Sequence, residues 1–404
     1  MPETVIVGGG PAGSLCAIHL SKLGIPTLVV ERDSSPRFHI GESLTGEGGN
    51  LLREVGLEEA MLSMRYPVKY GVRIYGPSGR SAFWIPVKKR DPDNHLQDTF
   101  TWQVRRSTFD RLLIEQAQRL GAEIIQGRAI SPKLAADGQI RGVTVQLESG
   151  KRIEVESKVL VDASGQYTFL ANANVTGPKQ RGNFDRQVAI YAHVEGVTGD
   201  AGDQWGNTLM FFQKKNYWAW LIPIDEITTS IGFVVPSDYF MSSKESKREF
   251  FVRELIKFNK ELSRRTKGVG KIETVHASSN YSYYTERFSG KGWLCIGDSH
   301  RFIDPLFSFG LNIGMSEGRQ AAQAILHFLG GSVDDDRPFL AYEQWSTQGV
   351  DACQVVLDGF WNNTLAFGLL MRNYSEDFID LFAGRVWQKE YRGLSALRDL
   401  LRKS

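Results

Sequence analysis

The sequence predicts an α/β fold: a domain built on βαβ units, interrupted by a mainly antiparallel β domain and followed by C-terminal helices. Three observations predict it. A β-rich run at 4–7 is followed at once by Gly8-Gly9-Gly10-Pro11-Ala12-Gly13, a helically spaced segment over 14–23 and a second apolar strand over 27–30, the order of a βαβ unit. Residues 186–235 hold long alternating runs of Tyr, Trp, Phe and Ile, the period-2 pattern of strands. A further apolar strand at 293–296 ends in Gly297-Asp298, and a helical pattern follows over 311–328. Segments of the first kind flank the strand-rich block, so the second domain is inserted into the first. The expected division is 1–65, 100–183 and 286–340 for the βαβ domain, 66–99 and 184–285 for the inserted domain, and 341–404 for a helical segment.

The remaining elements follow in order. Residues 107–120 read as an amphipathic helix capped by Ser107 or Thr108 and stopped at Gly121. Residues 122–162 read as short strands, with a hairpin turning at Ser149-Gly150 and a buried run at 159–161. Lys88 and Lys89 read as part of a charged loop, 243–265 as one polar helix with a solvated basic face, 272–285 as one strand, and the chain after Arg337 as helical. A chain of 404 residues suits two or three such units and needs no covalent staple. The 48 Lys and Arg against 46 Asp and Glu leave a net charge of +2, too even for nucleic acid or an anionic membrane as main partner. Cys16, Cys295 and Cys353 are odd in number and far apart, which excludes a disulfide framework and a CxxC zinc or redox site. No leader pattern opens the chain, and no apolar run reaches the ~18 residues of a membrane span; a cytoplasmic enzyme is expected. No HExxH, EF-hand, Walker A or GxSxG spacing occurs, so neither a metal nor an acyl-enzyme is expected.

Gly8, Gly10 and Gly13 fit GxGxxG, with Ala12 inside the motif. The first glycine allows a tight turn, the second lets backbone amides approach a pyrophosphate at the positive end of a helix, and the third lets helix and strand pack closely. Glu31 lies 18 residues beyond Gly13 at the end of the second strand, the place for a carboxylate that accepts from an adenosine ribose. Arg32 follows it as a further contact for that end. The loop serves NAD and FAD equally, so it does not choose between them.

Later segments make the choice by resemblance. Val161-Asp162-Ala163-Ser164-Gly165, Cys295-Ile296-Gly297-Asp298 and Arg106-Ser107-Thr108-Phe109-Asp110 together resemble the large flavoprotein monooxygenase class over roughly residues 1–340. The resemblance implies a Rossmann-like FAD-binding domain in which Asp298 meets the flavin ribityl chain, Arg106 faces the diphosphate, and Asp162 and Gly165 belong to the cofactor site. Gly310-Leu311 opens a helix, whose positive end would stabilise reduced flavin.

Two short stretches narrow the class. Asn216-Tyr217-Trp218-Ala219-Trp220-Leu221-Ile222-Pro223 contains WxWxIP, and Phe302-Ile303-Asp304-Pro305-Leu306-Phe307-Ser308-Phe309-Gly310 contains FxxPxxSxG. WxWxIP alone is also a core strand with Trp218 and Trp220 on one face and Pro223 ending it; both motifs on one FAD scaffold resemble the flavin-dependent halogenases. That family's chemistry implies reduced flavin, oxygen, a C4a-hydroperoxide, and chloride or bromide attacking it to give hypohalous acid, which passes to a lysine beside the substrate. Tyr66-Pro67-Val68-Lys69-Tyr70-Gly71 resembles the segment bearing that lysine, so Lys69 is the candidate. A lone lysine is ordinarily solvated, but a buried one shifts its pKa readily and becomes a nucleophilic amine. By the same resemblance, halide sits near the amides of Ser308, Phe309 and Gly310, with Pro305 in the turn, and Gly41-Glu42-Ser43 crosses the flavin and couples the two sites, which places Ser43 at the cofactor.

The chain departs from the tryptophan halogenases, which carry Glu-Ser-Thr-Gly where it has Phe307-Ser308-Phe309-Gly310. The acid is lost and a Phe309 ring is expected beside the halide. The chain also lacks their long C-terminal region, and so looks like the shorter group acting on phenols and pyrroles, free or on an acyl or peptidyl carrier protein. With no second GxGxxG, a separate NAD(P)H flavin reductase is expected to supply FADH2. Rival readings are an aromatic hydroxylase using NAD(P)H directly, an FAD-dependent reductase of isoprenoid double bonds, and a catalytically silent flavin-binding or carrier-docking protein. His39 and His300 read as proton relays or as structural histidines. The apolar stretch 350–374 reads as a helix pair on the inserted domain, or as a pocket wall or docking face, and the basic C-terminal helix as a solvated face.

Overall fold

In the computed structural model, which describes residues 1–33, 38–182, 186–279, 282–331 and 337–403, the start of the chain folds as a βαβ unit. Strand Thr4–Val7 is buried along its length. Helix Pro11–Lys22 opens with proline in its first turn, where the missing N–H has no partner to lose. Strand Thr27–Glu31 runs parallel to the first. Both sit in the middle of an eight-stranded sheet with the order Arg152–Glu156, Ile140–Leu147, Glu123–Leu134, Thr27–Glu31, Thr4–Val7, Val159–Asp162, Trp293–Cys295, Ser289–Gly290. Its central neighbours pair in parallel. Helices Phe309–Leu329 and Arg106–Arg119 pack against Pro11–Lys22, which is why these strands read as unbroken apolar runs.

The second sheet, also eight-stranded, has the order Lys271–Ile272, Gln187–Glu195, Thr228–Pro236, Tyr217–Pro223, Thr208–Lys214, Gly71–Tyr75, Ser81–Pro86, with His276–Ser279 also paired to Gln187–Glu195. Gly71–Tyr75 runs parallel to Thr208–Lys214, so an early segment and a late one build one sheet. One face packs on Phe250, Phe251 and Phe258. The other carries Trp218, Trp220 and Ile222 and meets the C-terminal helices through Phe360, Phe378 and Phe382. The expected boundary between 183 and 184 falls outside the described residues.

Several expectations are corrected. The helix expected at 107–120 is Arg106–Arg119, and Arg105 precedes it with no side-chain cap; Thr108 Oγ1 instead donates to the Arg105 carbonyl at 3.0 Å. The single helix over 243–265 is two, Lys247–Lys257 and Lys260–Arg265, because Ser246 and Asn259 each accept from amides of a new first turn. Its basic face is not all solvated: Arg265 is buried against Asp200 and Glu261. The strand over 272–285 is broken into Lys271–Ile272, His276–Ser279 and Tyr283–Tyr284, with 280–281 outside the described residues. The strands over 122–162 are not all short, since Glu123–Leu134 spans 12 residues. Lys88 and Lys89 lie in a short hairpin, Lys88–Arg90 against Leu96–Asp98, with Lys88 paired to Asp98.

Candidate active site

A cavity of about 830 Å³ opens where the carboxyl ends of the parallel strands face the inserted sheet, the usual ligand position in such folds. Each glycine of the loop does a different thing. Gly8 has φ +108°, and a Cβ there would lie 2.5 Å from the Ala163 carbonyl oxygen. A Cβ on Gly13 would lie 2.0 Å from the Gly8 carbonyl oxygen, so Gly13 holds helix against loop and stays out of the cavity. Around Gly10 a Cβ would meet no atom within 4 Å: no protein contact requires glycine there, and the space it leaves faces the cavity. Gly10 caps its helix with no side-chain acceptor, which leaves first-turn amides for a ligand. Ala12 lines the same cavity.

Glu31 accepts from the Gly9 amide at 2.6 Å and the Asp33 amide at 2.9 Å. Arg32 is half-exposed beside Asp33, and Arg32 and Arg128 each lie 5.9 Å from the centre of the Tyr167 ring. Gly165, Asp298, Pro305, Gly310 and Leu311 also line the cavity. Burial pushes the Asp298 carboxyl up to about 6 against the pull of Arg106. Arg106 is gripped by both Asp110 oxygens, at 2.7 and 2.8 Å, and donates to the Ile40 carbonyl at 2.7 Å, so it also ties down the loop that crosses the cavity. The Gly10 cradle, the uncapped helix starts and the Asp298 carboxyl suit a diphosphate and a hydroxylated chain such as FAD carries. Asp162 stands apart: it is fully buried, accepts from the Ser164 and Leu170 amides, and shapes the turn rather than lining the cavity.

The inserted sheet supplies the opposite wall. Trp218, Trp220 and Ile222 alternate along Tyr217–Pro223 and all line the cavity, whereas Pro223 does not. Trp220 Nε1 donates to Ser230 Oγ at 3.0 Å, and its ring fits because residue 232 is glycine: a Cβ there would stand 2.2 Å from it.

A second cavity, of about 20 Å³, holds Lys69. Ser308 and Met210 line both cavities and stand between them. Lys69 is 2% exposed, not solvated. Its Nζ donates to the Leu44 carbonyl at 2.9 Å and lies 2.8 Å from Ser43 Oγ. Burial lowers its pKa to about 7. Ser43 faces the large cavity and also touches Thr208 Oγ1 at 2.9 Å, so the 41–45 loop is the shared wall of the two sites. Glu42, next to it, also lines the large cavity, with Oε1 2.7 Å from His193 Nε2.

Ser308 has φ +60° and starts helix Phe309–Leu329 without a side-chain cap, a backbone state that costs a residue with a Cβ about 1 kcal/mol or more. Gly310 has open space where a Cβ would stand. The Phe309 ring is not beside this turn as expected: it is 1% exposed and packs into the second core near Phe307, because the left-handed turn at Ser308 sends it inward. Phe307 takes its place against the lysine cavity, with Phe382 and Ala383 from the C-terminal helices. Val350, Phe360 and Phe367, from the 350–374 stretch, join the aromatic core. His300 is held by Glu317 and stacked on Phe288, while His39 lines the large cavity. Gln103 and Thr208 carried no motif and were missed; only the strand pairing brings them beside Ser43 and Lys69. Among the described residues, no cluster suited to a metal ion occurs, and no helix is long and apolar enough to cross a membrane.

Residues 1–350 match the model of the FAD binding domain family. The chain is 38% identical over 371 residues to a 1H-pyrrole-2-carbonyl-[peptidyl-carrier protein] brominase of Pseudoalteromonas luteoviolacea, covering 92% of this chain and 88% of that one. It is 28% identical to the corresponding chlorinase of Pseudomonas fluorescens, over 99% and 93% of the two chains. The solved structure of the flavin-dependent brominase Bmp2 superposes with a TM-score of 0.92 at 36% identity, over 100% and 98% of the two chains.

Proposed function

This chain belongs to the flavin-dependent halogenases built on an FAD-binding domain, and we propose that its substrate is a pyrrole-type ring carried as a thioester on a carrier protein. The relatives named as a brominase and a chlorinase act on pyrrole-2-carbonyl groups held this way, and both chains are matched over most of their length. FAD binds, and chloride or bromide is oxidised; neither a hydroxylase nor an isoprenoid reductase is favoured by these relatives.

The observation that carries the proposal is the buried amine of Lys69 in a cavity separated from the large one by Ser308 and Met210. When bound, reduced FAD would activate dioxygen, the two-electron oxidant that turns halide into hypohalous acid. The protein's part is to hold the cofactor: we assign Gly8, Gly10, Ala12, Gly13, Glu31, Arg32 and Arg106 to the nucleotide half, and Ser43, Gly165, Asp298, Pro305, Gly310 and Leu311 to the flavin half. Halide is assigned to the amides of the Ser308–Gly310 turn, which also sits at the mouth of the lysine cavity. Lys69 then takes the halogen from hypohalous acid. The N–X bond forms from the amine lone pair as the O–X bond breaks, the oxygen keeps that electron pair, and the nitrogen proton joins it as water. A pyrrole carbon next takes the halogen as the N–X bond breaks; the lysine nitrogen keeps that electron pair and ends with the ring proton, which restores the amine. An electron-rich ring needs no strong base for this, which suits a site with Phe307 where a carboxylate would otherwise stand.

Residues 1–65, 100–183 and 286–340 form the FAD-binding domain in this reading, 66–99 and 184–285 the substrate domain, and 341–404 the helices that close the lysine cavity. A separate NAD(P)H flavin reductase supplies the reduced flavin. The cytoplasm is the compartment proposed, which suits three buried cysteines with no disulfide partner. The test offers enzyme, FAD, a flavin reductase, NADH and bromide or chloride to pyrrole-2-carboxylate, free and as its carrier-protein thioester, and reads the products by isotope pattern. Halogenated carrier thioester with little free product is expected. Equal halogenation of the free acid would overturn the carrier assignment.

A further inference from the structure

We propose that Gln103, Thr208 and Ser43 form a one-way hydrogen-bond chain that ends at Lys69 and presents it to its cavity as a neutral amine. The inference rests on reading Lys69 as the halogen-carrying group, and it names the residues that keep that group ready.

The direction of the chain follows from counting donors. Gln103 Nε2 lies 3.0 Å from the Gly206 carbonyl and 2.8 Å from Thr208 Oγ1. A carbonyl only accepts, so the Gln103 amide must turn its NH2 to Gly206; the flipped amide would set two acceptors against each other. That same NH2 then donates to Thr208. The hydroxyl of Thr208 has one hydrogen, and beyond the large cavity that it also lines its remaining protein neighbour is Ser43 Oγ at 2.9 Å, so in the proposed chain Thr208 donates to Ser43. Ser43 in turn has one hydrogen and one neighbour left, Lys69 Nζ at 2.8 Å. The Ser43 hydrogen therefore points at nitrogen, which must offer a lone pair. A neutral amine does so: it accepts from Ser43, donates one N–H to the Leu44 carbonyl and keeps the other for the cavity. An ammonium has no lone pair. It would leave the Ser43 O–H facing a cation with no acceptor, in a place where Ser43, Gln103, Thr208 and Lys69 are each 2% exposed or less. Inside a protein such an unmet donor is costly, and aligned donors reinforce one another.

The surroundings add no opposing charge. The walls of the lysine cavity come from Thr45 and Gly46, Val72, Ile85 to Val87, Met210, Phe307 and Ser308, and Phe382 and Ala383, and none is ionisable. Glu42 is turned to His193, and Glu47, in the first turn of helix Gly46–Glu54, is engaged with Arg385 and Asn50. Burial, which lowers the pKa of Lys69 to about 7, works in the same direction as the chain.

Gln103, Thr208 and Ser43 are in this account positioning residues, and the test follows the protonation of Lys69 itself. The full chain, free of flavin, is labelled with 13C at the lysine side chains, and the Lys69 resonance is assigned by its loss in Lys69→Met. The wild-type resonance should titrate near neutral pH. Thr208→Val keeps the shape and removes the donor to Ser43; Ser43 can then accept from an ammonium, and the midpoint should rise by about one pH unit. Thr208→Ser should restore it. Gln103→Met, which removes the group that sets the direction, should raise it in the same sense and guards against misfolding of either variant alone. A midpoint unmoved in folded Thr208→Val and Gln103→Met would overturn the proposal, as would a wild-type midpoint at the ordinary value for lysine. The pH profile of halogenation should shift with the resonance. A resonance that moves while the halogenation profile stays put would uphold the chain and overturn instead the role given to Lys69.

Discussion

Lys69→Met should change the stability of the protein in a way that depends on pH. The unfolded chain presents this lysine at its ordinary pKa of 10.5, whereas burial lowers it to about 7 in the folded protein. Between these values the unfolded state binds a proton that the folded state does not, so the penalty is full below the folded pKa and fades as pH rises towards the unfolded one. At 1.36 kcal/mol per pKa unit, the penalty is about 4 kcal/mol at pH 7 and about 2 kcal/mol at pH 9. Methionine matches the length of the lysine stem and has no charge to desolvate. It leaves Ser43 and the Leu44 carbonyl without a partner, an offset of roughly 1–3 kcal/mol that does not vary with pH. The unfolding free energy of the variant minus that of wild type should therefore shrink by about 2 kcal/mol between about pH 7 and about pH 9. Urea unfolding of the flavin-free proteins across that range measures it. A difference that stays constant with pH would mean that Lys69 keeps its ordinary pKa, and the picture of a desolvated amine would be wrong.

Three further outcomes are expected. Gly10→Val should abolish FAD binding, read by flavin fluorescence titration, while the melting temperature of the flavin-free protein stays near wild type, because a Cβ there meets no atom within 4 Å and the side chain is expected to enter the cradle. Gly232→Ala should destabilise the protein by about 1–3 kcal/mol, read by thermal unfolding, since its Cβ would stand 2.2 Å from the Trp220 ring inside a packed sheet. Mixing FAD-loaded enzyme with NADH or NADPH in a stopped-flow instrument, with or without substrate, should give negligible flavin reduction until a flavin reductase is added; rapid reduction by the enzyme alone would point to direct nicotinamide use.

The parts of this molecule that could be read from sequence are those whose physics is local. Gly8, through its positive φ, and Gly13, through the Gly8 carbonyl, answer constraints set within the loop itself, and the strand–loop–helix around them announces itself by period alone. Trp218 and Trp220 likewise declare a strand face through alternation. Helix breaks were harder, because Ser246 and Asn259 each start a new helix through a pair of side-chain capping bonds that a polar, helix-friendly composition hides. The inward turn of Phe309 depends on the positive φ of Ser308, which no side-chain pattern encodes. Gln103 and Thr208 lie 105 residues apart in the chain and reach Ser43, the partner of Lys69, only through tertiary pairing. The carboxyl of Asp162, expected at the cofactor, is held by two amides of its own turn, a local contact that no motif spacing announces.

The central claim is that halide oxidation and halogen transfer occur in separate cavities, with Lys69 serving the second. Its most direct measurement is a single turnover of Lys69→Met loaded with reduced FAD, mixed with oxygen, halide and the pyrrolyl carrier thioester, following flavin absorbance and product mass in the same samples. The account predicts flavin oxidation at close to the wild-type rate with product lowered by roughly a thousandfold or more, equivalent to about 4 kcal/mol of lost transition-state stabilisation. Normal halogenation by the variant would contradict it and remove Lys69 from the reaction.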